Sequence, residues 1–165
     1  QGKLLWVNLS EGTIDTKPLD PQVAKAYIGG RGLGIHLLSQ SVDPRCDPYD
    51  ADNLLIMATG PLTGTGAPTG ARYMVMTKSP LTGAVTCSNS GGRFPTEFKR
   101  TGYDAIIFSG RADRPVYLYL DEQTAELRDA GQITGGPPPL KKADRSQFLQ
   151  QLDQAIQAIR RHHRI

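Results

Sequence analysis

The sequence predicts an α+β fold in which a mostly antiparallel β-sheet platform carries a few short helices. Short apolar or alternating segments outnumber helical patterns before residue 131, and turns rich in glycine or proline separate most of them. The chain has 165 residues, of which 38% are hydrophobic, so a globular domain with one core is expected. A change of composition near residue 131 predicts three segments, namely a platform over 1–130, a Pro/Gly linker over 131–145, and an amphipathic helix with a basic tail over 146–165.

The first third of the chain predicts a hairpin followed by two helices. Lys3–Leu9 and Ile14–Lys17 read as strands joined by a glycine-containing turn. An aspartate–proline pair beginning at Asp20 is typical of a helix start, with Asp as N-cap and Pro in the first turn. The paired glycines that follow predict the end of this helix. A second helix is expected over about Gly32–Gln40, with leucines on one face.

The middle of the chain predicts six more strands and one helix. Leu54–Ala58 is a short apolar run typical of a buried strand. A helix is expected to begin near Phe94 and to end at Thr101, where Gly102 follows as the C-terminal cap. The other predicted strands are Arg72–Lys78, Gly83–Cys87, Ala105–Ser109, Val116–Leu120 and Ala125–Arg128.

The C-terminal segment differs from the platform in both composition and charge. Gly135–Pro139 cannot continue a sheet, because its three prolines have no N–H donors. An apolar stripe predicts a helix over Ser146–Ile159 that needs packing to be stable, with Arg160–Ile165 frayed; a disordered tail is the alternative. Residues 131–165 carry a net charge of +4 and the remainder −1, so the basicity belongs to the tail and no nucleic-acid partner is predicted.

Several classes of protein and site are disfavoured. The sequence contains no apolar run of the roughly 20 residues that span a bilayer, and no basic and apolar leader, so a cytoplasmic protein without a membrane partner is expected. Its two cysteines, Cys46 and Cys87, favour reduced thiols over a disulfide, and they cannot complete a zinc or iron–sulfur site. The histidines are equally unpromising as metal ligands; these are His36, His162 and His163. The sequence therefore predicts neither metal ligands nor catalytic residues.

The most informative feature is a window without acidic residues, from Asn53 to Thr96. It holds three cations, Arg72, Lys78 and Arg93, together with seven of the 18 glycines. Glycine lets backbone N–H groups approach a ligand closely, and the absence of carboxylates lowers the cost of placing negative charge nearby. This window therefore favours a phosphate-bearing or otherwise anionic ligand.

Known nucleotide motifs do not account for this window. No GxxxxGK[ST] sequence is present, and Gly64-Thr-Gly66 has its third glycine one place late and precedes a predicted strand, not a helix. The Gly29–Gly34 segment (GGRGLG) could be an anion-binding nest, but an interhelical turn that needs positive φ is favoured. Glu97 and Lys99 could be an acid–base pair, but a solvated helical face is favoured.

Five longer motifs resemble one known family. GPLTGTGAPTGARYMVMTKSPLTG, SNSGG and TGYDAIIFSGRADRPVYLYL occur in the same order as in the N-terminal domain of the aldehyde ferredoxin oxidoreductases. GKLLWVNLSEGTI and GGRGLG precede them and match as well. The resemblance covers about residues 2–130. The sequence departs from the family pattern at Arg93-Phe94-Pro95, where an aromatic pair and a small residue are usual. This departure leaves the start of the following helix open.

The resemblance implies a tungsten or molybdenum enzyme with two pyranopterins, magnesium bridging their phosphates, and a nearby [4Fe–4S] cluster. Such enzymes oxidise aldehydes to carboxylic acids and pass electrons to ferredoxin. The N-terminal domain is the platform under the pterins, and the metal takes no ligand from it. By this resemblance the cofactor-binding residues are Arg72, Asn89 and Gly91, and Gly60–Gly92 is expected to form one continuous polar surface with Arg72 and Asn89 on the same side.

The function expected from this resemblance is that of a cofactor-binding fragment or small subunit of such an enzyme. The cluster cysteines and the remaining pterin ligands are absent from this sequence, so a larger catalytic chain or further domains would supply them, and the isolated chain is expected to be inactive. The alternative is a non-catalytic, stand-alone interaction module that kept the platform and uses the tail helix to bind a partner. The tail itself could be a lineage-specific ending, a docking helix or the out-of-frame end of a truncated gene.

Overall fold

The computed structural model describes residues 2–131, and these belong to two compact units that divide after Arg111. The first unit contains a six-stranded sheet with three helices, and the second contains a two-stranded hairpin. The elements are β1 (Lys3–Asn8), β2 (Thr13–Pro18), α1 (Pro21–Tyr27), α2 (Gly30–Ser41), β3 (Leu55–Thr59), β4 (Tyr73–Lys78), β5 (Val85–Ser90), α3 (Phe94–Arg100), β6 (Tyr103–Ser109), β7 (Val116–Leu120) and β8 (Ala125–Asp129).

The six-stranded sheet has the strand order β2-β1-β6-β3-β4-β5. Four of its five strand pairs are antiparallel, and the pair β1–β6 is parallel. The predicted α+β class with a mostly antiparallel sheet is therefore confirmed. The strands β2 and β5 lie at the two edges, and β5 is exposed along most of its length.

The predicted N-terminal hairpin is present, with its strands paired from Lys3↔Pro18 to Asn8↔Thr13. Asn8 shapes the turn, because its Oδ1 accepts hydrogen bonds from the backbone N–H of Ser10 at 3.0 Å and of Glu11 at 3.2 Å. A short polar side chain that bonds backbone two and three residues ahead is a common way to start a turn.

Helix α1 begins as predicted, with Asp20 as its N-cap. The Asp20 Oδ1 accepts a hydrogen bond from the Gln22 backbone N–H at 2.7 Å, which satisfies one of the N–H groups that a helix start leaves without a partner. The helix ends at Tyr27, and α2 begins at Gly30, two residues before the predicted start. The interhelical turn favoured for Gly29–Gly34 is limited to the start of that segment, where Gly29 has φ 149° and Gly30 φ 51°, because the rest lies in α2.

The face of the sheet that packs against α2 contains the main apolar cluster. Glycine in α2 allows close approach, because a Cβ at Gly34 would lie 1.7 Å from the Cε of Met76 on β4. Met76 is fully buried. The buried members of the cluster lie on β1, β3, β4, β6 and α2, and one lies just before β3. They are Leu4, Leu33, Leu38, Leu54, Ile56, Ala58, Met76, Ala105 and Ile107.

Helix α3 lies near the opposite face of the sheet. Phe94 contacts Tyr73 edge-to-face, with ring centroids 4.9 Å apart, and Phe98 is buried. Tyr73 and Met74 alternate along β4, so Tyr73 faces away from the cluster that Met74 contacts. The helix begins at Phe94 with Pro95 in its first turn, where a missing N–H costs no helical bond. The departure from the family pattern there leaves the helix start as predicted.

The second unit contains the antiparallel hairpin β7–β8, paired from Val116↔Asp129 to Leu120↔Ala125. Asp121 forms its turn, because its Oδ1 accepts hydrogen bonds from the backbone N–H groups of Gln123 at 2.8 Å and Thr124 at 2.7 Å. These two bonds stabilise the charged carboxylate and hold the pKa of Asp121 below its usual range.

Apart from Gly131, the predicted linker, the helix over Ser146–Ile159 and the frayed end over Arg160–Ile165 lie outside the described residues. Within residues 2–131, no helix is long and apolar enough to cross a membrane.

Candidate functional site

The two predicted cofactor-binding side chains, Arg72 and Asn89, contact each other. Arg72 immediately precedes β4, and Asn89 lies on β5 opposite Met74. The Arg72 Nη1 donates a hydrogen bond to the Asn89 Oδ1 at 2.7 Å. The prediction that the guanidinium and the amide lie on the same side is therefore confirmed, although they are 17 positions apart in the sequence.

The third predicted residue, Gly91, lies directly beneath the Arg72 side chain. A Cβ at Gly91 would lie 3.4 Å from the Arg72 Nε and 3.5 Å from its Cδ, with the Ala71 carbonyl oxygen at 3.3 Å. The two distances to Arg72 are ordinary van der Waals contacts and the one to the Ala71 carbonyl oxygen is tighter, so the Gly91 backbone lies close to both residues. The structure thus brings together all three predicted residues at one end of the β4–β5 pair, and their cofactor role stays a prediction.

The charge at this end is positive, and no carboxylate in the described part of the chain contacts it. A guanidinium has five N–H donors, and among residues 2–131 the Arg72 side chain donates to one acceptor, the amide oxygen of Asn89. The first two acidic residues after the acid-free window each pair with a cation of their own. Glu97 pairs with Arg100 and Asp104 with Lys99. The site therefore offers N–H donors and positive charge to an incoming anion.

A short loop over residues 60–72 leads to Arg72 and is held by Thr63. The buried Thr63 Oγ1 accepts a hydrogen bond from the Gly60 backbone N–H at 3.2 Å and donates one to the Arg72 carbonyl oxygen at 3.1 Å. One hydroxyl thus ties the start of the loop to its end. Sequence reasoning missed Thr63, because nothing in a run of small polar residues distinguishes one threonine from its neighbours.

The predicted continuous polar surface over Gly60–Gly92 is interrupted. The loop over residues 60–72 and strand β5 are mostly exposed, but β4 between them is mostly buried together with Ser79. Exposed apolar side chains also lie within the window, namely Leu62, Leu81 and Val85. The prediction failed there because helices cover both faces of β4, with α2 against Met76 and α3 against Tyr73.

The three cations of the acid-free window differ in their surroundings. Lys78 is buried, and its Nζ donates to the carbonyl oxygens of Pro44 at 2.5 Å and Cys46 at 2.6 Å. Its ammonium group therefore forms hydrogen bonds inside the fold and is not free to bind a ligand. Arg72 and Arg93 are exposed, and of these two Arg72 has its direction fixed by a side-chain partner within the described residues.

The expectation that Glu97 and Lys99 form a solvated helical face is wrong for Lys99. The Lys99 side chain is 4% exposed and forms an ion pair with Asp104, whose side chain is 12% exposed. Glu97 is half-buried and pairs with Arg100 at 3.0 Å. The helical pattern of α3 does not reveal this burial, because the cause is the loop and strand that pack over Lys99.

The remaining candidate ligands are dispersed. Cys46 and Cys87 are both free thiols, in agreement with the favoured reading. In the part of the chain that the structure describes, no group of three or more His, Cys, Asp and Glu residues could hold a metal ion.

Comparison with known proteins places this chain in a family. A family model described as the N-terminal domain of aldehyde ferredoxin oxidoreductase matches residues 4–154, a range that extends beyond the motifs found in the sequence. The tungsten-containing aldehyde ferredoxin oxidoreductase of Pyrococcus horikoshii is 54% identical over 134 residues, which are 81% of this chain and 22% of that protein. An aliphatic sulfonate oxidoreductase, WOR-like subunit, of Pyrococcus furiosus is 38% identical over 137 residues, with the same two coverages.

A solved structure gives a further match. The active-site complex BamBC of benzoyl coenzyme A reductase, in complex with 1,5-dienoyl-CoA, has a TM-score of 0.79 and 40% identity to this chain. The match covers 81% of this chain and 20% of that one. The chain therefore spans about a fifth of the length of its relatives, and it belongs to the aldehyde ferredoxin oxidoreductase family, whose N-terminal domain it represents.

Proposed function

We propose that this chain is the cofactor-binding N-terminal part, as a fragment or a small subunit, of a tungsten enzyme that oxidises aldehydes to carboxylic acids. Arg72, Asn89 and Gly91 would hold a bis-pyranopterin cofactor with its bridging magnesium. Tungsten and an aldehyde are favoured over molybdenum and other substrates, because the relatives named for tungsten and aldehyde are 54% identical, against 38% for the sulfonate enzyme and 40% for the coenzyme A reductase.

The observation that carries this proposal is the Arg72–Asn89 hydrogen bond across Gly91. The bond fixes the direction of a guanidinium without neutralising it, because the acceptor is an amide oxygen. The remaining guanidinium N–H groups can bind a phosphate or a pterin oxygen, and the Asn89 amide nitrogen can donate to a pterin edge. The Gly91 backbone lies beside the Arg72 side chain. This donor set fits a polar, phosphate-bearing heterocycle.

When bound, the metal and its pterins supply the oxidation–reduction chemistry. The described residues Arg72, Asn89 and Gly91 would bind and orient the cofactor. The electrons would then pass to ferredoxin through a [4Fe–4S] cluster held elsewhere in a longer chain or in a larger catalytic partner. A cytoplasmic setting agrees with the two free thiols at Cys46 and Cys87.

The different substrates named for the relatives indicate that this domain does not determine substrate specificity. A sulfonate oxidoreductase and a coenzyme A reductase both share it with the aldehyde enzymes. We infer that the shared domain supplies cofactor binding, and that residues outside this chain select the substrate. The isolated chain should therefore bind cofactor without oxidising aldehydes.

The test is reconstitution of the 165-residue chain with the tungsten bis-pyranopterin released from a tungsten-containing aldehyde ferredoxin oxidoreductase. Bound tungsten and pterin fluorescence are measured after gel filtration for the native chain, Arg72→Met and the control Arg100→Met. Arg100 is an exposed arginine paired with Glu97 and lies outside the site. Loss of a charge-assisted hydrogen bond is worth about 1.5–3 kcal/mol, so Arg72→Met should weaken binding by about tenfold or more, while Arg100→Met should bind like the native chain.

Two results would contradict the proposal. If the native chain takes up neither tungsten nor pterin, the chain is the non-catalytic interaction module that kept the platform fold. If Arg72→Met binds as tightly as the native chain, the cofactor lies elsewhere. Aldehyde-dependent dye reduction by the reconstituted chain alone would instead show that the fragment is catalytically complete.

A further inference from the structure

A buried ion pair lies under the loop over residues 60–72, outside the exposed donors of the candidate site. The Lys99 Nζ on α3 contacts the Asp104 Oδ1 on β6, and both side chains are largely hidden from solvent. The next pair along the same helix, Arg100 with Glu97, is more exposed, with 61% of the Arg100 side chain accessible. Adjacent residues of one short helix thus make one buried and one exposed pair.

The aliphatic part of Lys99 supports the loop from below. A Cβ placed on Gly64 would lie 3.4 Å from the Lys99 Cβ and 3.6 Å from its Cγ. Gly64 also has φ +77°, a conformation that residues with side chains rarely adopt. A side-chain atom added at Gly64 would thus touch the lysine stem, so the backbone of this turn lies close above it. The position of the stem limits how near the turn can come to α3.

Asp104 links the ion pair to the strand that enters the loop. Its carboxylate accepts from the Lys99 ammonium and, through Oδ2, from the Gly2 backbone N–H at 2.5 Å. Its own carbonyl oxygen accepts a hydrogen bond from the Thr59 Oγ1 at 3.2 Å. Thr59 is the last residue of β3 and directly precedes the loop, so Asp104 also sets the point from which the loop departs.

The loop transmits this position to Arg72. Thr63, whose hydroxyl joins the Gly60 N–H to the Arg72 carbonyl oxygen, lies next to Gly64 in the sequence. The Arg72 backbone N–H additionally donates to the Gly70 carbonyl oxygen at 3.0 Å. Neighbouring groups thus lead from Lys99 to the nearby backbone of Gly64, to the adjacent Thr63 and, through the Thr63 hydroxyl, to the backbone of Arg72.

We propose that the Lys99–Asp104 ion pair is a positioning device that sets the conformation of the loop over residues 60–72 and, through it, the direction of the Arg72 side chain. This inference depends on the proposed function in one respect only, namely that Arg72 binds a ligand. The two residues are positioning residues, since neither belongs to the exposed donor set.

Stability alone does not explain this pair. Taking two charges out of water opposes the gain from their attraction, and apolar residues of similar volume often stabilise a core as well as a buried ion pair does. An ion pair, unlike an apolar contact, is directional and fixes the separation of α3 and β6 at one point. That point lies beneath the turn at Gly64.

The test compares three variants of the full 165-residue chain by NMR without ligand: Lys99→Met, the double variant Lys99→Met/Asp104→Asn, and the control Arg100→Met. The readouts are the side-chain resonances of Arg72 Nε–H and Asn89 Nδ2–H₂, the solvent exchange of the Arg72 Nε–H, and the amide resonances at the Asn8–Thr13 end of the β1–β2 hairpin, away from Asp104. Lys99→Met should lower Tm, because it leaves a buried carboxylate unpaired. The double variant, without that charge, should recover part of the loss.

Under the proposal, both Lys99 variants shift the Arg72 and Asn89 resonances and speed exchange of the Arg72 Nε–H, while the amides at the Asn8–Thr13 end of the β1–β2 hairpin stay in place. Arg100→Met leaves all of these readouts unchanged. If the pair were only structural, the folded double variant would show native Arg72 and Asn89 resonances, and that result overturns the proposal. Because no ligand is used, this outcome does not depend on whether Arg72 binds a pterin.

Discussion

The two ends of strand β4 carry one cation each, and the two cations have opposite surroundings. Arg72 lies just before the strand and is exposed, whereas Lys78 is its last residue and is buried. In the sequence both belong to the same acid-free window, and both could serve an anionic ligand. The structure separates them by what their N–H donors contact.

At the Lys78 end, the fold uses the available polar groups itself. The ammonium donates to the carbonyl oxygens of Pro44 and Cys46. The Asn53 Nδ2 donates to the Pro48 carbonyl oxygen at 2.8 Å, and its Oδ1 accepts from the Lys78 backbone N–H at 3.3 Å. This end of β4 is thus fastened to the segment between α2 and β3.

At the Arg72 end, the fold orients the guanidinium and leaves most of its N–H donors without an acceptor among the described residues. One hydrogen bond to a neutral amide orients the guanidinium, and no described carboxylate pairs with it. A cation in an acid-free window can therefore bind an anionic ligand only if its N–H donors are not already satisfied by carbonyl oxygens inside the fold. Sequence composition does not distinguish these two cases, and the contacts do.

The largest expected effect on stability is at Lys78. Lys78→Met removes two charge-assisted hydrogen bonds inside the fold and should lower the free energy of unfolding by about 2–3 kcal/mol. Arg72→Met, a matched change at the exposed end, should alter it by less than about 0.5 kcal/mol. Urea unfolding followed by circular dichroism measures both values. Equal losses for the two variants would show that the ends of β4 are energetically alike, contrary to the comparison.

A smaller effect is expected at the centre of the strand, where Met76 meets α2. Gly34→Ala places a Cβ 1.7 Å from the Met76 Cε, and overpacking a buried side chain costs about 1–3 kcal/mol. The helix itself gains about 0.8–1.0 kcal/mol from replacing an interior glycine with alanine. The net change should therefore be a loss of about 1 kcal/mol in urea unfolding.

The sign of this effect depends on Met76 and can be reversed. In a Met76→Ala background the methionine terminus is absent, so Gly34→Ala should keep only the helical gain and become stabilising. If Gly34→Ala is destabilising by the same amount in both backgrounds, close packing of α2 on β4 is not the reason for the glycine.

Much of the fold could be predicted because its signals are local. The Asp20 cap, the hairpin of β1 with β2 and the apolar run of β3 depend on neighbours within a few residues, and each appeared where its pattern placed it. Strand β5 was displaced by about two residues, because Gly83 and Ala84 belong to the preceding turn. The Gly83 N–H donates to the Ser79 carbonyl oxygen at 2.8 Å, and the Ser79 N–H to the Ala84 carbonyl oxygen at 2.7 Å.

The features that sequence reasoning missed depend on distant contacts. The parallel pairing of β1 with β6 joins Leu4 to Ala105, and no local pattern indicates it. The burial of Lys99 depends on Gly64 and Asp104 in other elements. The convergence of Arg72, Asn89 and Gly91 was predicted only because the motifs resembled a family, since residue types alone allowed a surface arginine and a turn asparagine.

The smallest expected effect is on the pKa of Asp43, which lies beside the Lys78 end. A hydrogen bond from the Arg45 side chain is the main reason that the pKa of this carboxyl lies below its usual range. The Arg45 backbone N–H at 2.8 Å adds to the shift, desolvation opposes it, and the charge of Lys78 lowers the pKa slightly further. A lowered pKa in the folded state contributes stability above the ordinary pKa of an aspartate, and this contribution is lost as the pH falls through the lowered value.

The carboxyl carbon resonance of Asp43, followed by NMR from neutral to acidic pH, tests how far the buried charge of Lys78 reaches. Arg45→Met should raise the midpoint most, because it removes the forked contact of the guanidinium, with Nε 3.3 Å from Oδ1 and Nη2 3.1 Å from Oδ2. Lys78→Met should raise it less, because only a weaker charge interaction is lost. Arg72→Met should leave it unchanged, since Arg72 is not among the groups that shift this pKa. A larger rise for Lys78→Met than for Arg45→Met would mean that the ammonium acts on Asp43 directly and that its donors are not fully used by the two carbonyl oxygens.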